Sequence, residues 1–341
     1  MVQPGGGWRA TGFWQDVCEL PETLQATLDR GDGLDATVDL LTRDRVRRIV
    51  VTGNGAAYHC ALALGLACLG SQQARPEVVA VPSGLLAQRW FSWRPGDVVL
   101  AISSSGEFRD IVRAIEDHSL PQPFAAITCS EGSTIARHAS ERVLVQVSNQ
   151  RAITHTQAFC GNVLAALALW ARIAADKNLR RAVDEGPEAC SRSLRQLEDG
   201  DWPRSATEVA IAARAAIAFG SGGAWVGALE AALLLKEVAQ IPAEGNETRE
   251  AATLAITVLA PGQLAISIPT EDDPFISETE ALCARTGATV LRIPGGSVGD
   301  NRLAPITTFP AAAALAASLG TEVGINIDAP PWVDAYYDTA R

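Results

Sequence analysis

Two stretches decide the fold: Thr52-Gly53-Asn54-Gly55-Ala56-Ala57-Tyr58, continuing to Ala61-Leu62, and Phe219-Gly220-Ser221-Gly222-Gly223-Ala224-Trp225, continuing to Ala228-Leu229. They align without a gap, at an offset close to half of the 341 residues. Gly, Gly, Ala, Ala and Leu coincide, and Asn/Ser and Tyr/Trp are similar pairs. Each stretch follows an apolar run and precedes an alanine-rich segment. A strand, a glycine turn and a helix that recur at half the chain length indicate two copies of one α/β unit.

Around the first stretch, short apolar runs read as strands at Ile49–Thr52, Val78–Val81, Val98–Ile102, Phe124–Thr128 and Val143–Val147. Segments with helical spacing lie between them, among them Ala61–Leu69 and Ile111–Glu116. Around the second stretch, strands read at Ala216–Phe219, Leu264–Ile268 and Thr289–Ile293. Strands alternating with helices predict parallel sheets covered on both faces. The first few residues read as loose, Cys18–Arg30 as helical after Pro21 and Gln157–Leu179 as one long core or linking helix. The expected organisation is an arm and helix over 1–30, a first α/β domain over 31–180, and a second with a C-terminal tail over 181–341.

The chain has 28 Lys and Arg against 39 Asp and Glu, a formal net charge of −11. Nucleic-acid affinity comes mainly from Lys and Arg neutralising phosphates, so no nucleic-acid partner is expected. Anionic membrane surfaces are disfavoured for the same reason. A small anionic ligand must then be held locally, by backbone amides and hydroxyls. The seven cysteines form no C-x-x-C pair, which predicts free thiols and a reduced, cytoplasmic setting. Pro4-Gly5-Gly6-Gly7 stands where a signal peptide would need an apolar run. Ala251–Thr270 is uncharged but interrupted by Pro261-Gly262-Gln263, so it reads as buried elements joined by a turn rather than a membrane span.

Three places could carry chemistry. Gly53-Asn54-Gly55 sits between a strand and a helix, where glycines bring backbone amides close to a ligand. A dinucleotide fingerprint needs a third glycine at position 58, which is Tyr58. The turn therefore either holds another anion or only joins two elements. Ser103-Ser104-Ser105-Gly106-Glu107 follows the strand Val98–Ile102 and precedes a helix expected from Phe108 to Glu116. Three hydroxyls and free amides can cradle a phosphate, although one serine suffices to cap a helix. Glu230, Lys236, Glu237, Glu244, Glu247, Arg249 and Glu250 lie inside or after the helix of the second copy. Glu230 and Glu237 share a helix face with apolar neighbours, so Glu237 points partly inward. Such a carboxylate is either paired or a general acid–base group. His155, in Ile153-Thr154-His155-Thr156-Gln157-Ala158-Phe159, is either a loop or helix-cap residue or a ligand contact. The four histidines form no metal-ligand spacing, and neither a P-loop nor a G-x-S-x-G elbow is present. No metal or cofactor is expected.

Taken together, Gly53-Asn54-Gly55-Ala56-Ala57-Tyr58-His59, Ile102-Ser103-Ser104-Ser105-Gly106-Glu107, Thr156-Gln157-Ala158-Phe159 and Ala228-Leu229-Glu230 with Leu235-Lys236-Glu237 resemble the double SIS (sugar isomerase) domain family. Glu19-Leu20-Pro21, Leu303-Ala304-Pro305-Ile306 and Gly320-Thr321-Glu322-Val323 extend the resemblance over most of the chain. It is similar to the isomerase half of glutamine–fructose-6-phosphate aminotransferase and to amino-sugar deaminase/isomerases and fructosamine-phosphate deglycases. The resemblance implies an α/β fold of two flavodoxin-like subdomains, a tandem repeat with five-stranded parallel sheets, and a homodimer.

It also implies roles. Ser103, Ser104 and Ser105, with Gly53, Asn54 and Gly55, would bind a sugar phosphate. Glu237 would shuttle a proton between C1 and C2. Phe108, Thr154 and His155 would line the ligand site, and Glu250, or Thr253 if the gap is placed otherwise, stands where the family keeps a ring-opening histidine. Ala56, Ala57 and Phe108 replace family hydroxyls, and the tail has Ala335 about where the aminotransferase carries its Schiff-base lysine. No nucleophile cysteine follows Met1, so glutamine-dependent amination is not expected of this chain alone. The expected function is a sugar-phosphate or amino-sugar isomerase or deaminase/deglycase. The alternatives are a non-catalytic sensor or partner subunit, and an enzyme for a bulkier or neutral sugar.

Overall fold

The computed structural model describes residues 7–71, 76–88, 90–296 and 300–340. The stretch expected to be loose, residues 1–6, lies outside them. From the N-terminus run α1 (Gly12–Cys18), α2 (Leu20–Arg30) and α3 (Leu34–Leu41). The first sheet follows with β1 (Arg48–Gly53), α4 (Ala56–Leu69), β2 (Glu77–Pro82), α5 (Ser83–Ala87), β3 (Asp97–Ile102), α6 (Arg109–Glu116), β4 (Ala125–Thr128), α7 (Thr134–His138) and β5 (Glu141–Leu144). Three helices lead onward: α8 (Gln157–Ile173), α9 (Lys177–Asp199) and α10 (Trp202–Ala210). The second sheet comprises β6 (Ala216–Gly220), α11 (Gly223–Glu237), β7 (Ala243–Glu247), α12 (Thr248–Thr253), β8 (Leu264–Ser267), α13 (Ile276–Arg285) and β9 (Thr289–Arg292). The chain closes with α14 (Ala304–Thr307), α15 (Phe309–Glu322) and α16 (Val333–Ala340).

The chain gathers into two compact units. One combines Met1–Pro21, Asn149–Gln157 and Glu185–Val333 and holds the second sheet; the other combines Glu22–Ser148, Ala158–Asp184 and Asp334–Arg341 and holds the first. In the first-sheet unit five parallel strands run in the order β2-β1-β3-β4-β5, the flavodoxin-like arrangement. Every residue of β1 is buried, as a strand covered on both faces requires. Its core joins Val50, Val99, Ala101, Ile111, Phe124 and Ile135. Helix α6 buries Ile111, Ala114 and Ile115, positions that share one helical face.

In the second-sheet unit four parallel strands run β7-β6-β8-β9, the same order without a fifth among the described residues. The core here joins Ile217, Phe219, Ala251, Ala265, Ile276 and Cys283. The repeat read from the sequence holds to the level of single angles. Gly55 and Gly222 precede α4 and α11 with φ,ψ of 53°, −128° and 58°, −128°. A Cβ on Gly53 would stand 2.6 Å from the Ala57 carbonyl, and one on Gly220 would stand 2.7 Å from that of Ala224. Both turns therefore need glycine for the same reason: the helix starts directly against the end of its strand.

Several sequence expectations are corrected. Strand β7 (AEGNE) carries no apolar run, and Glu244 and Glu247 lie on it. It is an edge strand bonded only to β6, so its polar side chains can stay in solvent. A Cβ on Gly245 would stand 2.5 Å from the Leu229 Cα, so α11 lies directly on this strand. The helix expected over Gln157–Leu179 is two helices, because Ala175 turns the chain at φ 51° and the Asp176 carboxylate caps α9 on the Leu179 amide. The helical rhythm expected after Pro21 is α2, set off from α1 at Glu19. The uncharged run Ala251–Thr270 is only partly buried, with Leu254 and Val258 57% and 60% exposed. The stretch Asn301–Glu322, long and apolar enough to cross a membrane, is buried inside the fold. All seven cysteines are free thiols.

Candidate functional site

In the first-sheet unit the order of strands reverses between β1 and β3, the crevice where doubly wound sheets bind ligands. Thr52 pairs with Ala101, so the loops after these two strands leave the sheet side by side. After β1, the amides of Asn54, Gly55 and Ala56 make no backbone hydrogen bond among the described residues. Gly53 is buried, whereas Asn54 and Gly55 are exposed.

After β3, the serines fold onto one another. The Gly106 amide donates to Ser103 Oγ at 3.1 Å, and the Glu107 amide donates to Ser105 Oγ at 3.2 Å. Asn162 of α8 donates its Nδ2 to Ser104 Oγ at 3.1 Å. Each serine oxygen thus accepts, and none of the three hydroxyls donates a hydrogen bond among the described residues. The amides of Ser104 and Ser105 have no backbone acceptor among the described residues. Gly106 holds the turn at φ +64°, and a Cβ there would stand 2.0 Å from Ser133 Oγ.

The loop is not a helix cap. Helix α6 begins at Arg109 rather than Phe108, and its N-cap, the half-buried Phe108, makes no side-chain bond. The Glu107 carboxylate is engaged elsewhere, accepting the Thr134 amide at 2.7 Å where α7 starts. Asn162 escaped the sequence reading. A buried polar residue in the apolar run Phe159–Ala171 was the available signal. Its Oδ1 has no partner among the described residues.

In the second-sheet unit Glu237 ends α11 with a partly buried side chain. Its carboxyl is pushed up to about 7, chiefly by burial and then by the nearby Glu230 charge, with the Thr154 hydroxyl and Lys236 pulling the other way. Thr154 is buried, and its Oγ1 makes no hydrogen bond of good geometry. A pocket of about 410 Å³ opens beside Glu237, lined also by Lys236, Gln240, Ile241, Pro242 and Trp332. Trp332, which the sequence did not point to, donates its Nε1 to the Glu237 carbonyl at 2.8 Å and satisfies one of the open carbonyls of the helix end. A carboxyl poised near neutrality in a pocket of this size can take up and return a proton.

The other candidates fall differently. His155 is half-buried in the loop after Thr154. The Glu250 side chain is exposed on α12 and is absent from the lining of the Glu237 pocket. The Glu247 carboxylate caps α12 on the amides of Arg249 and Glu250. Arg249 pairs with Glu278 and lies over the Phe275 ring. Gly53–Gly55, Ser103–Ser105 and Phe108 belong to the first-sheet unit, and Thr154, His155, Glu237 and Glu250 to the second-sheet unit. Among the described residues no three His, Cys, Asp or Glu side chains cluster as a metal site.

The family model of the SIS domain matches residues 44–174. The isomerizing glutamine–fructose-6-phosphate aminotransferase of Methanothermobacter thermautotrophicus is 26% identical over 297 residues, 85% of this chain and 48% of that protein. The chain spans about half the length of the curated relatives it matches. Among solved structures, the C-terminal domain of glucosamine-fructose-6-phosphate aminotransferase from Francisella tularensis matches with a TM-score of 0.80 at 16% identity, over 94% of this chain and 98% of that one. The glucosamine-6-phosphate deaminase of Thermotoga maritima matches with a TM-score of 0.74 at 19% identity, over 94% of this chain and 98% of that one. These structural likenesses establish the fold. The chain therefore carries a match to the SIS domain over residues 44–174, and its fold is similar along nearly its whole length to those two solved structures.

Proposed function

We propose that the chain is an enzyme that isomerises or deaminates a sugar phosphate or amino-sugar phosphate, with Glu237 as its general base. The observation that carries this reading is the Glu237 carboxyl, held near neutrality beside the Thr154 hydroxyl and an open pocket. In the open-chain sugar, the Glu237 carboxylate takes the proton from C2, next to the C1 carbonyl or imine. The electron pair left on C2 forms a C1–C2 double bond as the C1 oxygen or nitrogen takes a proton. As the C2 hydroxyl gives up its proton, matching the one taken at C1, C2 becomes the carbonyl and the first proton returns to C1, which gives the ketose; running the steps backward gives the aldose. A base poised near the working pH combines a sufficient ionised fraction with useful basicity.

Ser103, Ser104 and Ser105, with the amides after Gly53, are assigned to the phosphate, and Phe108 to the wall beside it. His155 and Glu250 are assigned to sugar hydroxyls or acid contacts. The chain's likeness to a glutamine–fructose-6-phosphate aminotransferase and a glucosamine-6-phosphate deaminase supports the amino-sugar class. The same reading expects a homodimer in a reduced, cytoplasmic setting, and domains that meet near residues 30 and 180.

A second reading, a sugar-phosphate sensor or partner subunit without turnover, is favoured by Ala56, Ala57 and Phe108, which offer no hydroxyl to a ligand. One experiment separates the two. The purified chain is incubated in D2O with hexose phosphates and amino-sugar phosphates, and C2-hydrogen exchange is followed by NMR. Exchange supports the enzyme; binding without exchange or turnover supports the sensor.

A further inference from the structure

We infer that Asp16 and Asp328 are positioning residues, which fix the loop Asn149–Gln157 so that the Thr154 hydroxyl faces the Glu237 carboxylate. The inference rests on the reading of Glu237 given above.

Asp16 lies on α1 and is wholly buried. Its Oδ1 accepts from Arg151 Nη1 at 2.7 Å, and its Oδ2 accepts the amides of Arg151 at 2.8 Å and Ala152 at 3.0 Å. A buried carboxylate with three donors, one of them charged, is held in a single orientation and orients those donors in turn. The next amide, Ile153, donates to the Asp328 carbonyl at 3.1 Å. The Asp328 carboxylate then returns to α1, accepting the amides of Gly12 at 2.9 Å and Phe13 at 2.7 Å. The contacts close a ring: α1 to loop, loop to tail, tail to the first turn of α1.

Further along the loop, Gln157 donates its Nε2 to Glu19 Oε2 at 3.3 Å, and Arg151 Nη1 donates to the same carboxylate oxygen at 3.0 Å. Three consecutive amides, 151 to 153, are thus committed to two aspartates, and Thr154 comes directly after them. It is buried, its hydroxyl makes no hydrogen bond of good geometry, and it is near enough to Glu237 to pull the pKa of that carboxyl down. A short loop fixed at this density delivers one side chain reproducibly, which is what a reacting group requires of its support. The charges that act on Glu237 itself are Glu230 and Lys236, both on α11; the loop offers the uncharged Thr154, and the tail the uncharged Trp332.

The test is a carbon-13 NMR titration of the Glu237 carboxyl in the full chain, run beside C2-hydrogen exchange. Thr154→Val and Asp16→Asn are each expected to raise the Glu237 midpoint by about 0.4–1 pH unit, the worth of one net hydrogen bond. The acid limb of the exchange rate should move with it, and kcat should fall while KM holds. A midpoint unmoved by Asp16→Asn, in a variant that unfolds at the wild-type temperature, overturns the inference; so does one unmoved by Thr154→Val. If Asp16→Asn does not fold, Asp328→Asn opens the ring at its other corner and is read by the same titration. Failure of the general-base reading shows elsewhere, as Glu237→Gln exchanging C2 hydrogen at the wild-type rate; the titration still decides the ring.

Discussion

Glu230 and Glu237 lie two turns apart on one face of α11, and the charge of the first raises the pKa of the second. Glu230 is buried, so little water screens it. Burial of Glu237 does the larger part, and together they bring a carboxyl of ordinary value 4.5 to about 7.

A base works ionised, so the rate should rise with pH through about 7 and level above it. Glu237→Gln should lower the rate by about 10²–10⁴ while ligand affinity stays near wild type. Glu230→Gln should move the acid limb to lower pH. Stability carries the opposite sign. Between pH 4.5 and about 7 the folded protein keeps a proton that the unfolded chain releases, so stability falls as pH rises through this window. Urea unfolding across that range, repeated on Glu237→Gln, should show the slope removed.

Ser105→Ala should weaken binding of a phosphorylated sugar by roughly 1.5–3 kcal/mol, the loss of a bond to a charged group. Because Ser105 Oγ receives only the half-buried Glu107 amide, stability should drop by no more than about 1 kcal/mol. Calorimetric titration with hexose 6-phosphates measures the first, thermal unfolding the second. Equal affinities of variant and wild type for every phosphate bound would assign the serines to the turn alone.

Gly106→Ala attacks the same loop through its backbone. The residue sits at φ +64° with Ser133 Oγ 2.0 Å from the position of a Cβ. Strain of about 1–3 kcal/mol is expected from the dihedral alone, and the clash adds to it. The loop must shift, so phosphate binding should be lost with the fold retained, as judged by circular dichroism and titration.

Arg48 and Asp97 open β1 and β3 and face each other across the sheet. Two bonds join them, at 2.9 and 2.6 Å, with both side chains buried. Burial would raise the Asp97 pKa, but the Arg48 bonds overcome it and hold the acid below its ordinary range. Arg48→Met leaves a buried carboxylate unpaired and should cost about 3–5 kcal/mol in urea unfolding. Adding Asp97→Leu should recover much of it. In the wild type the contribution of the pair should vanish on acidification as Asp97 protonates.

The sequence by itself determined the repeat and most of the strands. Gly53 and Gly220 had to be glycine because each helix starts against its strand, and that demand is local. Apolar runs such as Val98–Ile102 announce a strand buried on both faces for the same local reason. The serine run and the inward turn of Glu237 were also legible, since one follows a strand and the other obeys helical spacing. The tertiary structure decided the rest. Strand β7 is polar because only its place at the edge makes it a strand. Asn162 meets Ser104 across 58 positions of chain, and Asp16 meets Arg151 across 135. Helical spacing shows that Glu237 turns inward beside Glu230, but neither how deeply it is buried nor that Thr154 comes to it from a distant loop. Hydrogen bonds between distant segments leave no periodic trace in a sequence, because their partners are set by how the elements pack rather than by their order in the chain.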